Sequence, residues 1–266
     1  MILKGTYEKK DIHAAWESSF RFHPLERRLN DEIMNRLLLH LHPPPNALFL
    51  DAGCGVGDHS LRIAAHGYRC VGVDLSEHVL GIARQNAEAG GLSHKTEFSL
   101  QAIEELGFAN DVFDVIHCRG VLMHVPEWER ALTSLCRVLK PGGRIAILES
   151  NHRAVEMLVV QLVRALSNRQ SRMVRAPGGL EFWSEDNGVP FLVRFADLKH
   201  LTERLQTIGI SKVRRLATSF WDINRFPEGV IRTMVIRFNR FYFHLHLPAC
   251  LAIGNAIIGE KLSSAT

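Results

Sequence analysis

Residues 51–57 form a glycine-rich segment that begins with an acidic residue and could bring backbone amides close to a ligand. They read Asp-Ala-Gly-Cys-Gly-Val-Gly, with glycine at every second position after the alanine. Glycines in such a turn let backbone amides approach a ligand without interference from a Cβ atom. A dinucleotide-binding turn has the spacing G-x-G-x-x-G, and a P-loop ends in Gly-Lys-Ser or Gly-Lys-Thr. Neither pattern is present, because Asp58 and His59 follow Gly57.

Two acidic residues indicate which ligand this turn would take. Asp51 stands two residues before the first glycine, where a carboxylate disfavours a pyrophosphate and suits an ammonium or sulfonium group. Asp74 follows Gly53 by 21 residues, at the end of the next apolar run. A carboxylate at that position can accept both hydrogen bonds from a ribose diol. Together they predict an adenosine ligand with a cationic tail, and S-adenosylmethionine fits that description.

Apolar runs alternate with helix-like segments on both sides of the turn. The predicted strands are 47–50, 70–74, 96–100, 112–118 and 144–149, and the predicted helices between them are 59–66, 76–89 and 127–139. This alternation is typical of a doubly wound parallel sheet in an α/β protein. Ligands of such sheets bind at the carboxyl ends of the strands, which is where the glycine turn and Asp74 fall.

Residues 47–149 resemble class I S-adenosylmethionine-dependent methyltransferases, most closely the small-molecule type that includes ubiquinone- and menaquinone-biosynthesis enzymes. Four segments carry the resemblance: the glycine motif, Val73-Asp74-Leu75-Ser76, Phe113-Asp114-Val115-Ile116 and Val138-Leu139-Lys140-Pro141-Gly142-Gly143. The resemblance implies a Rossmann-like, mostly parallel sheet of seven strands with the last one antiparallel. It also implies S-adenosylmethionine as the cofactor.

The cofactor contacts that the resemblance implies lie in the glycine turn and after the second, third and fourth strands. They are Asp51, Gly53, Cys54, Gly55, Gly57, Asp74, Leu75, Gln101, Ala102 and Cys118. The family often has Asp-Ala after the third strand, where the Asp accepts a hydrogen bond from the adenine amino group. This chain has Gln101-Ala102 instead. A glutamine oxygen can still accept that bond, and the alternative is an exposed polar residue without a ligand.

His124 is the candidate catalytic residue. Methyl transfer mainly needs orientation and a dry site, and a general base helps where the acceptor is a hydroxyl or a carbon acid. His124 follows the fourth strand and resembles a common family histidine; a pocket-wall or helix-start role is the alternative. His13 and Trp16, on the N-terminal helix, and Glu149 and His152, after the fifth strand, are further pocket candidates with packing roles as the alternative.

Three regions are expected along the chain: a helical lid over 1–45, a cofactor-binding core over 46–150, and 151–266 with cap helices and the last two core strands. A helix over 6–42 ends at Pro43-Pro44-Pro45. Beyond the core, the patterns predict helices at 154–166, 195–207 and 228–247, strands at 212–219 and 250–260, and a loop over 170–190.

The cap region is basic and rich in aromatic residues. Residues 152–247 hold 15 Lys and Arg against 8 Asp and Glu. We expect an apolar acceptor cavity lined by Phe182, Trp183, Phe220 and Trp221. Arg172, Arg175 and Arg194 could pair with an acidic group on the substrate or form a solvated basic face. The helix carrying Arg232, Arg237 and Arg240 either lies against a membrane surface or packs on the sheet.

The remaining composition excludes some classes of protein. Ordinary apolar and charged fractions exclude a disordered, collagen-like or coiled-coil chain, and a net charge of +4 is too weak to indicate nucleic acid. No metal is expected, because His40 and His42 are two residues apart and point away from each other on a helix. Five cysteines without CxxC spacing, and no apparent signal peptide, predict reduced, buried thiols in a cytoplasmic protein. The sequence contains no run of 18 apolar residues, so no membrane-spanning helix is predicted.

The leading interpretation is therefore an S-adenosylmethionine-dependent methyltransferase of a small, apolar or acidic molecule. Two alternatives stay open: an RNA (tRNA) methyltransferase, and a non-catalytic cofactor-binding subunit. The acceptor atom and the oligomeric state are not determined by these patterns.

Overall fold

The computed structural model describes residues 24–166, 173–186 and 189–263. The strands are β1 (Leu48–Ala52), β2 (Arg69–Asp74), β3 (Thr96–Leu100), β4 (Phe113–Arg119), β5 (Leu139–Ser150), β6 (Met173–Ala176), β7 (Gly179–Asp186), β8 (Val189–Ala196), β9 (Ile210–Ser219) and β10 (Gly254–Lys261). Seven of them form the main sheet in the order β3-β2-β1-β4-β5-β10-β9. The first five are parallel, and β10 is antiparallel to both of its neighbours. The predicted doubly wound sheet, with its last strand antiparallel, is confirmed.

Helices cover both faces of this sheet. They are α1 (Pro24–Leu41), α2 (Asp58–Ala65), α3 (Glu77–Ala89), α4 (Trp128–Val138), α5 (Val155–Leu166), α6 (Leu198–Thr207) and α7 (Val230–His244). Successive strand residues point to opposite faces, so each central strand supplies two apolar layers. Leu50 and Ile116 belong to one buried cluster, and Phe49 and Val115 belong to the other. This explains why the central strands read as continuous apolar runs.

A second, three-stranded antiparallel sheet lies where the sequence predicts a loop. Strands β6, β7 and β8 pair in that order, and Ala176 faces Gly179 across a two-residue turn. The loop prediction for 170–190 is therefore wrong: Pro177-Gly178 closes a hairpin rather than marking irregular chain. Gly179 has φ 135°, and a Cβ atom there would lie 2.1 Å from the Phe195 carbonyl oxygen. The helix predicted to begin at 195 begins at Leu198, because β8 continues through Ala196 and Asp197 is the N-cap.

The N-terminal helix ends where the prolines predicted. Its described part, α1, ends at Leu41, and His42 follows with φ 40° before the three prolines. His13, Trp16 and the start of the predicted helix lie outside the described residues, as does Arg172. Among the described residues, no helix has the length and apolar character needed to cross a bilayer.

Candidate cofactor site

The glycine loop joins β1 to α2 at the carboxyl edge of the sheet. Gly53, Gly55 and Gly57 have φ values of 73°, 52° and 81°, which side chains rarely adopt. A Cβ atom on Gly53 would lie 2.2 Å from Cγ2 of Val121, whereas one on Gly55 would meet nothing within 4 Å. Packing therefore requires Gly53, and the space beside Gly55 is open to a ligand.

Asp74 holds this loop from the end of β2. Its Oδ2 accepts a hydrogen bond from the Gly55 N–H (3.0 Å), and its Oδ1 accepts one from the Ser76 N–H (3.1 Å). Ser76 occupies the predicted N-cap position of α3, but its hydroxyl makes no capping bond and is buried without a partner. The acid and the glycines that the sequence singled out therefore form one continuous cradle.

Asp51 lies beneath the loop. It is 2% exposed; its Oδ2 accepts a hydrogen bond from the Ser60 hydroxyl (2.6 Å), and its Oδ1 pairs with Nδ1 of His117 (2.8 Å). The sequence placed this carboxylate next to the ligand's cationic group. In the structure it braces β1 against α2 and β4, so its effect on a ligand would be an electrostatic one from behind the loop.

Two cysteines from the predicted contact set are buried. Burial, together with Asp51 and Asp74, holds the pKa of the Cys54 thiol well above its ordinary value, so Cys54 is a neutral packing group under the glycine loop. Cys118 has no exposed surface and lies in the apolar core. A cofactor contact from Cys118 would therefore come from its backbone, and it stays a prediction. The expectation of buried thiols is wrong for Cys250, which is exposed; all five cysteines are free.

The side chain of Gln101 forms hydrogen bonds within the protein. Its Oε1 accepts a hydrogen bond from the Gly107 N–H (2.8 Å), and its Nε2 donates to the Ser99 hydroxyl (3.0 Å). Its backbone N–H donates to the Asp74 carbonyl (3.0 Å), which places Gln101-Ala102 beside the cradle. The oxygen expected to accept from adenine thus already has a donor, and its carbonyl can accept one more.

Leu75 connects the cradle to the second sheet. It packs with Trp183, Phe191 and the fully buried Leu192 of β7 and β8. Phe220 belongs to another cluster, with Tyr242 and Ala252. Trp183 and Phe220, which were expected to line one cavity, thus belong to two different clusters.

His124 connects the turn after β4 to β8 through a hydrogen bond. Its Nδ1 donates to the Leu192 carbonyl (2.8 Å), which identifies the tautomer. Burial lowers the pKa of His124 to about 4, opposed by this hydrogen bond and assisted by Arg194. The imidazole is therefore neutral near pH 7, and a base with so low a pKa draws a proton only weakly.

Glu149 holds the same turn from β5. Its Oε1 accepts a hydrogen bond from the Leu122 N–H (2.9 Å), and its Oε2 is buried without a partner. Burial raises the pKa of Glu149 to about 8, against the opposing effects of the Leu122, Met123 and Val121 N–H groups. Glu149 therefore positions the turn after β4, whose Val121 side chain faces Gly53.

Arg194 also forms hydrogen bonds with this turn. It is 4% exposed, pairs with Glu181 (2.7 Å) and donates to the carbonyls of Leu122 (3.0 Å) and Val125 (2.8 Å). Neither alternative given for Arg194 holds, because its guanidinium is buried rather than solvated and its donors are taken up by the protein. Arg175 is exposed on β6.

One charged residue that the sequence analysis missed stands at the edge of the glycine loop. Arg119 ends β4, and its guanidinium N–H contacts Nε2 of His59 in α2 (3.1 Å). The signal was a basic residue at the carboxyl end of a strand beside the glycine loop. Within the part of the chain that the structure describes, no group of three or more His, Cys, Asp or Glu side chains is arranged to hold a metal ion.

A seven-stranded sheet in this order, with a glycine loop after β1 and an acid after β2, defines the Rossmann-like methyltransferase class of folds. A family model described as a methyltransferase domain matches residues 45–200, and the chain belongs to that family. The resemblance inferred from the four sequence segments is thereby confirmed.

Named relatives agree with this family. Ubiquinone biosynthesis O-methyltransferase of Coxiella burnetii is 31% identical over 151 residues, 54% of this chain and 63% of that protein. The S-adenosyl-L-methionine-dependent Diels-Alderase iccD of Talaromyces variabilis is 34% identical over 131 residues, 48% of this chain and 43% of that protein. The matches thus span less than two thirds of these curated relatives.

A solved structure supports the fold. Geranyl diphosphate C-methyltransferase from Streptomyces coelicolor A3(2), in complex with Mg2+, geranyl-S-thiolodiphosphate and S-adenosyl-L-homocysteine, superposes with a TM-score of 0.59. The two chains are 14% identical, and the match covers 88% of this chain and 80% of that chain.

Proposed function

We propose that this chain binds S-adenosylmethionine at the glycine loop and transfers its methyl group to a small organic molecule. The observation that carries the proposal is the hydrogen bond from the Gly55 N–H to the Asp74 carboxylate, which joins the two sequence motifs into one cradle. Membership in the methyltransferase-domain family and the name of the Coxiella relative support it.

The residues of the cradle fit this cofactor. When bound, S-adenosylmethionine supplies a methyl group that its sulfonium already activates. Asp74 would accept from the ribose hydroxyls, Gly55 leaves room for close approach, and the Asp51 carboxylate beneath the loop favours a cation over a pyrophosphate. The chain's own contribution is orientation and the exclusion of water.

The cap is proposed to select the acceptor. The packing of Leu75 against Trp183, Phe191 and Leu192 supports this division, because Leu75 directly follows Asp74 and so brings the second sheet beside the cradle. An apolar acceptor is favoured over an acidic one, since the guanidinium of Arg194 is occupied by the protein. The lid expected over 1–45 is proposed only for the part outside α1, because Leu29, Ile33 and Leu37 of α1 are buried in one core cluster with Phe49 and Val115.

His124 is proposed as part of the acceptor-site wall, and its role as a base is a secondary proposal. The hydrogen bond to Leu192 and the low pKa both favour the wall. In the wall role, His124→Gln would alter acceptor KM more than kcat. In the base role, kcat would fall by about 100-fold or more at saturating acceptor, and the acid limb of the pH profile would disappear.

Peripheral membrane contact through α7 is a further part of the proposal. Arg232 and Arg240 form ion pairs with Glu26 and Glu32, whereas Met234, Phe238 and Phe241 expose apolar surface on a helix without acidic residues. Flotation with vesicles rich in anionic phospholipid tests this contact: Phe238→Glu would remove the chain from the lipid fraction, and Leu39→Glu, at an exposed position of α1, is the control. A cytoplasmic location is proposed as well, and the free cysteines support it.

The decisive assay for the function uses methyl-labelled S-adenosylmethionine with three acceptor classes. These are apolar phenols and quinols, isoprenoid molecules, and bulk tRNA, with Asp74→Ala as the inactive control. Label in a small molecule that disappears with Asp74→Ala supports the proposal. Label in tRNA would favour the RNA alternative, and cofactor binding without transfer to any of the three acceptor classes would favour the non-catalytic one.

A further inference from the structure

Arg119 is a recessed guanidinium without an anionic partner among the described residues. It donates to the neutral nitrogen of His59 and forms no ion pair with a carboxylate of the described chain, although it keeps partial exposure. Neighbouring arginines are paired: Arg62 with Asp31 and Asp58, and Arg232 with Glu26.

The carboxylates near Arg119 act on its charge only from a distance. Burial lowers the pKa of Arg119 to about 10, and Arg62 adds to this effect, while Asp58, Glu26 and Asp51 act in the opposite direction without forming an ion pair. Burial also holds the pKa of His59 well below its ordinary value, so His59 offers a neutral acceptor only. Withdrawing a cation from water is unfavourable unless an anion accompanies it. A protein that retains such a group gains most from it when a ligand brings the anion.

The register of the sheet places Arg119 opposite Asp74 across the glycine loop. Ala52 pairs with Val73 on β2 and with Cys118 on β4. One residue further, Gly53 is therefore level with Asp74 on one side and Arg119 on the other. Two strand spacings separate these residues, about 10 Å. That span is of the order of the distance between the ribose hydroxyls and the carboxylate of an extended adenosyl amino acid.

We propose that Arg119 binds the α-carboxylate at the amino-acid end of the cofactor, as the counterpart of Asp74 at the ribose end. The inference rests on the proposed function. Asp74, Gly55 and Arg119 would then define the direction in which the cofactor lies across the loop. The planar guanidinium supplies two parallel donors, which match a carboxylate in bidentate geometry.

The test compares two cofactors that differ only in this group. Calorimetry measures the binding of S-adenosylmethionine and of decarboxylated S-adenosylmethionine to the wild-type protein, to Arg119→Met and to Arg62→Met. The wild-type protein should prefer the carboxylate form, and Arg119→Met should bind it roughly 10- to 100-fold more weakly. Arg119→Met should not weaken the decarboxylated form. Arg62→Met removes the same charge close by, and should change the ratio of the two affinities by less than threefold.

A purely structural role for Arg119 would give another result. The thermal unfolding midpoint of the ligand-free protein should stay equal or rise in Arg119→Met, because a recessed cation without a contacting carboxylate has been removed. Equal losses for both cofactors, or a ligand-free protein destabilised and not restored by Arg119→Lys, would overturn the proposal. Unchanged affinity for S-adenosylmethionine would overturn it too, and would leave the acceptor as the source of the anion. If the wild-type protein binds neither compound, the proposed function itself fails.

Discussion

Replacing Asp74 by alanine tests two roles of one carboxylate: binding the ligand and holding the glycine loop. The carboxylate accepts two backbone N–H groups, from Gly55 and Ser76, and is expected to accept two ribose hydroxyls. A hydrogen bond to a charged group contributes roughly 1.5–3 kcal/mol, so two ribose bonds at the lower value amount to about 3 kcal/mol. Water entering the vacated space recovers part of this. We therefore expect affinity for S-adenosylhomocysteine to fall by about 10- to 100-fold.

Calorimetry with a matched ligand and a matched variant distinguishes the ribose contact from a general loss of structure. The 2′-deoxy analogue of S-adenosylhomocysteine should bind the wild-type protein more weakly and be much less sensitive to Asp74→Ala. Asp114 offers the control, since its carboxylate also accepts a backbone N–H, from Leu48 (2.9 Å), and pairs with Lys140 (2.7 Å) at the opposite edge of the sheet. Asp114→Ala should lower the unfolding temperature and spare affinity. An Asp74→Ala protein that is folded and binds within twofold of wild type would refute the reasoning.

Three further outcomes follow from the loop and the turn that faces it. Gly53→Ala should lower the free energy of unfolding by roughly 2 kcal/mol or more, because its Cβ atom would clash with Val121. Its unfolding temperature should fall markedly, and a melting curve like that of wild type would contradict this. Gly55→Ala should cost only about 1 kcal/mol of stability but weaken S-adenosylhomocysteine binding, and unchanged binding in calorimetry would remove the open space beside Gly55 from the site. The pKa of Glu149 is raised to about 8 in the folded protein, so its contribution to stability is present at low pH and is lost as pH rises through that value. Glu149→Gln should therefore gain stability relative to wild type between about pH 5 and pH 8, and a difference that does not change with pH across denaturant titrations would argue against a raised pKa.

Local patterns along the chain determined most of the core. Alternating apolar runs and helical segments predicted the parallel strands, because each pattern reflects burial that a strand or a helix requires within a few residues. The spacing of Gly53, Gly55 and Asp74 predicted the cradle for the same reason: the chemistry lies within one strand–turn–helix unit and the strand that follows it. Those residues meet in the structure as expected.

Only the tertiary structure decided what the remaining polar side chains bind. Asp51 and His117 are 66 residues apart in sequence, as are Leu48 and Asp114, and no local pattern encodes which of them pair. From the sequence, Arg194 could have bound a substrate, whereas in the structure its guanidinium donates to carbonyls of the turn after β4. The second sheet was missed for a related reason: strand pairing depends on non-local partners, whereas helical periodicity is visible in one segment. The cradle for the proposed cofactor is therefore largely determined by local sequence, whereas the partners of each buried charge, Arg119 included, depend on the neighbours that the sheet order brings to it.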